Sequence, residues 1–462
     1  MSCGKVCYRD MLVERLAGRL RECGVGRAGG LLRVEVDVGG VGVLEWLGAQ
    51  RRGRGFYWAN RQGDFAAAGV GAADVVGDEV GLDVRGALGA IERRCGASCG
   101  EVRYYGGIAF DAEHDAGVWG GYGRYCFVAP RVEIRRQRGD TTLAVNLLRR
   151  EGDTLEGLEA EIAGALEGVV FDALGMDGRG GEAVRAAGRT DVPGRADWAR
   201  MVAAARERIA EGAIDKVVLS RQAELAMSGR VDVVRLMERL GQHGGGAYGF
   251  CFRAGEDDAF LGASPECLYW RRGDEIYSEA VAGTVLTGST EAERRYHRGI
   301  LSGSAKDHEE HGYVLEGVRE GLEGICEEVQ VIGQRDIVCL GYVQHFCSRF
   351  GGRLRGGVST GDIINALHPT AAVNGHPRSA ALEEIRALEP LGRGWYAGPV
   401  GWIGAEESEF AVGIRSGRVV GDRVRLFAGA GIVQGSEPEA EWEETESKLG
   451  LFLSAMGAAG DE

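Results

Sequence analysis

Lysine is almost missing from this chain. Of 54 basic residues, only Lys5, Lys216, Lys306 and Lys448 are lysines; the rest are arginines. Basic charge in excess is missing too, since the net charge is −15 over 462 residues. That excludes the broad basic face of a nucleic-acid binder, although a local basic site for a small anion remains open. No apolar run approaches 18 residues, so no membrane span is expected. The N-terminus MSCGKVCYRDMLVERL lacks the apolar core of a signal peptide, because Asp10 and Glu14 interrupt it. Eleven cysteines are scattered without a CxxC pair: Cys3/Cys7 and Cys95/Cys99 each have three residues between them. Reduced thiols in a cytoplasmic protein are the expectation. The 78 glycines show neither a collagen-like period nor a repeat. At that abundance, short glycine patterns such as Gly121-Tyr122-Gly123 carry no dinucleotide-binding signal.

What is present is a 44% hydrophobic chain with enough apolar residues for a sizeable core. VRYYGGIAFD (102–111) and RYCFVAPRVEIRR (124–136) alternate like strands, and 156–174 reads as a helix. The polar, glycine-rich stretch 175–195 reads as a linker. DWARMVAAARERIAEGAI then places Trp198, Met201, Val202, Ala205 and Ile209 on one helical face, with Asp197 as its expected cap. KVVLSRQAEL reads as a buried strand with Lys216 at its start. Residues 291–325 read as one or two charged helices. GWYAGPVGWIG, SEFAVGIRSGRV and RVRLFAGAGIV read as three strands, followed by a closing helix rich in acid. This uneven order predicts an α+β architecture rather than strict βαβ alternation.

Two helical segments carry paired acids three residues apart: Asp307 with Glu310, and Glu441 with Glu444. Each pair shares a helix face. Hard oxygen donors without thiolates suit Mg²⁺, and a solvated acidic face is the alternative. HEEH (308–311) is not a zinc-protease motif, because its histidines are three apart rather than four.

An arginine can carry charge wherever a lysine can, but it cannot give up its proton. The scarcity of lysine therefore marks Lys216 as a candidate base or nucleophile. In GASPECLYW (262–270), Glu266 lies between a proline turn and a strand-like run. A carboxyl there is either a turn-capping acceptor or a catalytic acid.

Together the motifs resemble the chorismate-utilising enzymes. They are DKVVLSR (215–221), ASPECLYW (263–270), EAVAGTVLTG (279–288), SAKDHEEHGYV (304–314), LHPTAAVNGHP (367–377), RGWYAGPVGW (393–402), EFAVGIRS (409–416) and AGAGIVQGSEPEAEWEETESK (428–448). The stretch 106–133 resembles the family's more variable N-terminal half. The resemblance implies one chorismate-binding domain over 1–462, with 1–195 the variable half and 196–457 the motif-bearing core. It implies two large packed β-sheets with helices outside, a site between them, and an internal loop rather than a domain boundary at 175–195. It also implies Mg²⁺ ligands at Glu310 and Glu444, supported by Asp307 and Glu441. Tyr396, Arg415 and Lys448, with the Gly429 backbone donating, match positions that hold the substrate's carboxylates. His345 matches the histidine beside the ring, and Thr284 lines the ring pocket.

Within that family, branches differ in what attacks carbon 2 of chorismate. Aminating members carry Gln at position 216 or a nucleophilic lysine at position 282. Lys216 with Ala282 resembles the water-using branch, the isochorismate and salicylate synthases. Implied roles are Lys216 as base toward water and Glu266 as acid toward the departing carbon 4 hydroxyl. Burial is expected to tune such groups toward neutrality. The motifs AGPVGW and EFAVGIRS favour isochorismate over salicylate as product. The alternatives are an aminating synthase and a ligand sensor without catalysis. A monomer is expected, with no glutaminase subunit, nucleic acid or membrane as partner. The pathway served, whether menaquinone, siderophore or salicylate, is not legible. Three positions depart from the usual pattern: Ala371 for Pro, Asn374 for Gly, and Phe346 where Leu is common.

Overall fold

A computed structural model describes the chain except residues 1–7, 25–28, 51–52, 113–118, 172–183, 244, 289, 341–342 and 458–462, and the side chains of His243, Thr284 and Leu340. Among the described residues two β-sheets dominate, one of twelve strands and one of nine. The ladders that build the site are antiparallel. Aromatic residues from both sheets meet in the gap between them. Phe56 of the larger sheet stacks on Tyr105 of the smaller, with ring centroids 3.9 Å apart. Each buried ring of this size contributes about 1.5–3 kcal/mol. Helices cover the outer faces. Leu12, Leu16, Leu158 and Ile162 pack with strands near the N-terminus, and Leu236, Leu240, Leu449 and Phe452 pack with strands around 216–227. The expected α+β architecture is therefore observed. Among the described residues, no helix is long and apolar enough to cross a membrane.

Several local expectations need correction. RYCFVAPRVEIRR is two strands, Tyr125–Ala129 in the smaller sheet and Val132–Gln137 in the larger. Pro130 lies at the break, where its missing N–H suits the end of a ladder. The helix expected over 156–174 is Leu155–Leu166. Much of the 175–195 stretch lies outside the described residues. Its later part is not a loop, because Ala186–Val192 forms a strand on the Lys216 strand. The following helix, Arg195–Ala210, is capped by Gly194. Asp197 sits in its first turn, where it favours the helix dipole. The 291–325 region is two helices, Glu291–Gly303 and Ala305–Ile325. Ser304 ends the first through its N–H and opens the second by accepting from the Asp307 N–H. Such a cap contributes about 1 kcal/mol.

One correction bears on function. SEFAVGIRSGRV divides into Glu407–Val412 of the smaller sheet and Ser416–Val420 of the larger. GASPECLYW crosses in the opposite direction, from Asp258–Ser264 to Cys267–Arg272. The two crossovers lie side by side. Ala263 N donates to Arg415 O at 3.0 Å, and Val412 N donates to Glu266 O at 3.1 Å.

Candidate active site

Beside the paired crossovers is an open cleft of about 810 Å³. Ten of the thirteen residues singled out from the sequence line it: Glu266, Ala282, Asp307, Glu310, His345, Tyr396, Arg415, Gly429, Glu444 and Lys448. Lys216 and Glu441 do not line it, and the Thr284 side chain lies outside the described residues.

Lys216 opens the strand Lys216–Met227, with a side chain that is 0% exposed. It reaches the cleft through a partner: Nζ donates to Glu310 Oε1 at 3.0 Å. Gly431 makes room for this pair. A Cβ there would meet Glu310 Oε1 at 2.7 Å and Lys216 Cε at 2.9 Å.

Glu310 and Asp307 come from the helix Ala305–Ile325, Glu441 and Glu444 from the closing helix Pro438–Ala455. Three of the rare lysines meet these acids one to one. Lys306 Nζ donates to Glu441 Oε1 at 2.6 Å, and Lys448 Nζ donates to Glu444 Oε1 at 2.7 Å. Burial raises the Glu444 carboxyl, but the Lys448 ammonium brings it below its ordinary value. Asp307 is pushed up by burial and by the Glu310 charge. Among the described residues, no three metal-binding side chains converge on one point. Mg²⁺ needs only one or two direct carboxylates, its remaining positions being filled by water and substrate. Glu310 and Glu444, which line the cleft and whose charges raise Asp307, fit that requirement, since a dication relieves repulsion among these acids.

Glu266 is 3% exposed. Burial drives its carboxyl up to about 8, although a Thr370 hydroxyl bond at 3.3 Å and the Lys216 charge pull the other way. It is therefore protonated at neutral pH and can donate.

His345 Nδ1 lies 2.8 Å from Gly283 O. A carbonyl only accepts, so Nδ1 carries the proton. Burial lowers this imidazole to about 3, which keeps it neutral. Its carbonyl partner sits where the strand Glu275–Leu286 bulges after Ala282, with Gly283 at φ +68°. Tyr396 stacks on Phe427 at 5.2 Å. The next residue, Ala397, and Arg415 both hold left-handed backbone, at φ 60° and 49°. Strain of this kind gathers at functional sites. The Gly429 carbonyl accepts from Lys448 Nζ at 2.8 Å.

Phe346 lies against His308 and His311 of HEEH, at 4.8 and 5.7 Å between ring centroids. Asn374 ties its loop down by donating to Arg378 O at 2.8 Å, and Ala371 is buried. Two polar groups escaped the sequence reading. Lys306 shares the scarcity that marks Lys216, but its pairing with Glu441 is made only by the fold. Thr370 carries no such mark, because only the fold brings it to Glu266.

With this geometry in view, comparison with known proteins places the chain. It matches the family described as chorismate binding enzyme over residues 20–457. An isochorismate synthase MenF of Bacillus subtilis is 35% identical over 356 residues, 76% of this chain and 74% of that protein. A chloroplastic isochorismate synthase of Catharanthus roseus is 33% identical over 375 residues; these span 79% of this chain but only 64% of the relative. The solved structure of MenF, the menaquinone-specific isochorismate synthase from Escherichia coli, superposes with a TM-score of 0.82 at 28% identity, covering 96% of this chain and 99% of that one. The chain belongs to the chorismate-binding enzymes.

Proposed function

We propose that this protein is an isochorismate synthase, converting chorismate to isochorismate by adding water at carbon 2 and expelling the carbon 4 hydroxyl. The observation that carries the reading is the arrangement of buried Lys216, paired with cleft-lining Glu310, together with Glu266 and Ala282 in the cleft, a combination that resembles the water-using members; burial raises the Glu266 carboxyl to about 8, which lets it protonate a leaving hydroxyl at neutral pH. Lys216, in its uncharged amine form, takes the proton from the attacking water, the ring double bond shifts, and Glu266 donates its proton to the departing oxygen, which leaves as water. Each proton transfer accelerates the reaction on the order of 10²–10⁴-fold. Arg415, Lys448 and Tyr396 hold the substrate's carboxylates with the Gly429 backbone. His345 and Ala282 line the ring. Glu310 and Glu444 would hold Mg²⁺, with Asp307 and Glu441 as supporting carboxylates, and the ion when bound would supply charge stabilisation to the ring carboxylate. Water is the nucleophile, so the reaction calls for no glutaminase subunit; a monomer in the cytoplasm is the form we propose.

The test is chromatography of the products from chorismate with Mg²⁺. Isochorismate is the expected product. Salicylate with pyruvate selects a salicylate synthase, ammonia-dependent anthranilate revives an aminating enzyme, and unchanged chorismate overturns all three.

A further inference from the structure

Glu266 stands on irregular backbone. The chain leaves the larger sheet at Ser264 and enters the smaller one at Cys267, so no ladder fixes the residue from both sides. One side of this crossover is held by its neighbour: Ser264 Oγ donates to Val412 O at 2.6 Å. The other side is held from far away in sequence. Arg61, in the turn between strands Gly55–Ala59 and Phe65–Val70, donates from Nη1 to Pro265 O at 3.0 Å. The same guanidinium grips Glu279, with Nη1 to Oε2 at 2.8 Å and Nη2 to Oε1 at 2.5 Å. Glu279 is 1% exposed, lies on the cleft-lining strand Glu275–Leu286, and accepts a third bond from Tyr277 Oη at 2.6 Å.

A planar guanidinium satisfies a carboxylate with two parallel bonds. Here one of its arms also reaches the carbonyl immediately before Glu266. That bond joins three segments, one on the larger sheet, one on the smaller and one on the crossover between them. The Glu279 charge also opposes ionisation of Glu266, and Arg61 offsets that charge.

We infer that Arg61 is a positioning residue for the general acid, fixing the aim of the Glu266 carboxyl by clamping the Pro265 carbonyl to the Glu279 carboxylate. The inference rests on the reading of Glu266 as the acid. It assigns part of the catalytic geometry to the N-terminal half, whose Arg61 does not line the cleft.

The test compares Arg61→Ala, Arg61→Lys and Glu266→Gln in steady-state turnover of chorismate across pH, with thermal unfolding alongside. A misplacement near 1 Å costs on the order of 10²-fold, so Arg61→Ala is expected to lower kcat by about 10–100-fold and to leave KM within about twofold. Its basic kcat limb should move to higher pH, because Glu279 has lost its counter-charge. Millimolar guanidinium ion should restore part of the kcat of Arg61→Ala and none to the unaltered enzyme. Arg61→Lys keeps the charge but not the fork, and should fall between. If Arg61→Ala does not fold, Arg61→Lys decides: reduced kcat at unchanged KM supports the clamp. A lower unfolding temperature with unaltered kcat and pH limb in the folded variant overturns it. Full turnover by Glu266→Gln sinks the acid reading itself, whereas its loss beside unaffected Arg61 variants sinks only the clamp.

Discussion

Two glutamates in this molecule are equally hidden from water and behave in opposite ways. Glu133, in the N-terminal half, is 0% exposed, and Glu266 is 3% exposed. Burial raises both carboxyls. At Glu133 it is overturned by Arg135 and Arg33, which donate at 2.9 and 2.6 Å, with Tyr105 adding a bond at 2.9 Å; the carboxyl falls to about 2. Among the described residues, the Glu266 carboxyl takes its side-chain hydrogen bond from the neutral Thr370 hydroxyl, and it stays at about 8. Depth therefore does not decide a buried acid's charge. The partners do, and a protein keeps a carboxyl protonated by withholding cations from direct contact.

That contrast can be broken by experiment. The largest effect is expected at the reacting pair. Glu266→Gln and Lys216→Arg should each keep the fold and lose about 10²–10⁴-fold in kcat; unaltered turnover in either variant removes that residue's role. Glu133→Gln should do the reverse. It removes the buried counter-charge that Arg33 and Arg135 share, leaving them only the exposed Glu35 and Glu101, and should lower stability by about 3–5 kcal/mol in denaturant titration, while turnover per folded molecule stays unaltered.

A smaller effect concerns pH. Glu133 has a folded value below its ordinary 4.5, so its stabilisation is present above about pH 4.5 and is lost as pH falls toward 2. Glu266 has a raised folded value. Below about pH 4.5 both folded and unfolded states hold its proton; between about 4.5 and 8 only the unfolded state releases it, so stability declines as pH rises and then levels off. Unfolding temperatures of Glu266→Gln should lack that decline, making the inactive variant the more stable one at pH 8. The smallest expected change is at Thr370→Val. Removing a bond that favours the carboxylate should move the basic limb of kcat upward by less than about one pH unit.

How much of this was legible depends on sequence distance. The carboxylate pairs Asp307/Glu310 and Glu441/Glu444 could be read directly, because helical geometry puts residues three apart on one face. The strand behind Lys216 was equally plain, since KVVLSR is a continuous buried run. The strands that change sheets were not legible. EFAVGIRS and RYCFVAPRVE each look like one alternating strand, and nothing in a period of two reveals that the chain moves to a different sheet part-way.

By itself the sequence determined the chemistry available: which four positions carry the releasable proton of a lysine, which helix faces carry acid, and which motifs occur in what order. Tertiary structure decided how those groups are used. Lys306 meets Glu441 across 135 residues, and Arg61 meets Glu279 across 218. Whether a buried acid ends near 2 or near 8 depends on such meetings. Charge acts over a few ångströms of space, and no local pattern records which distant residues folding brings within that range.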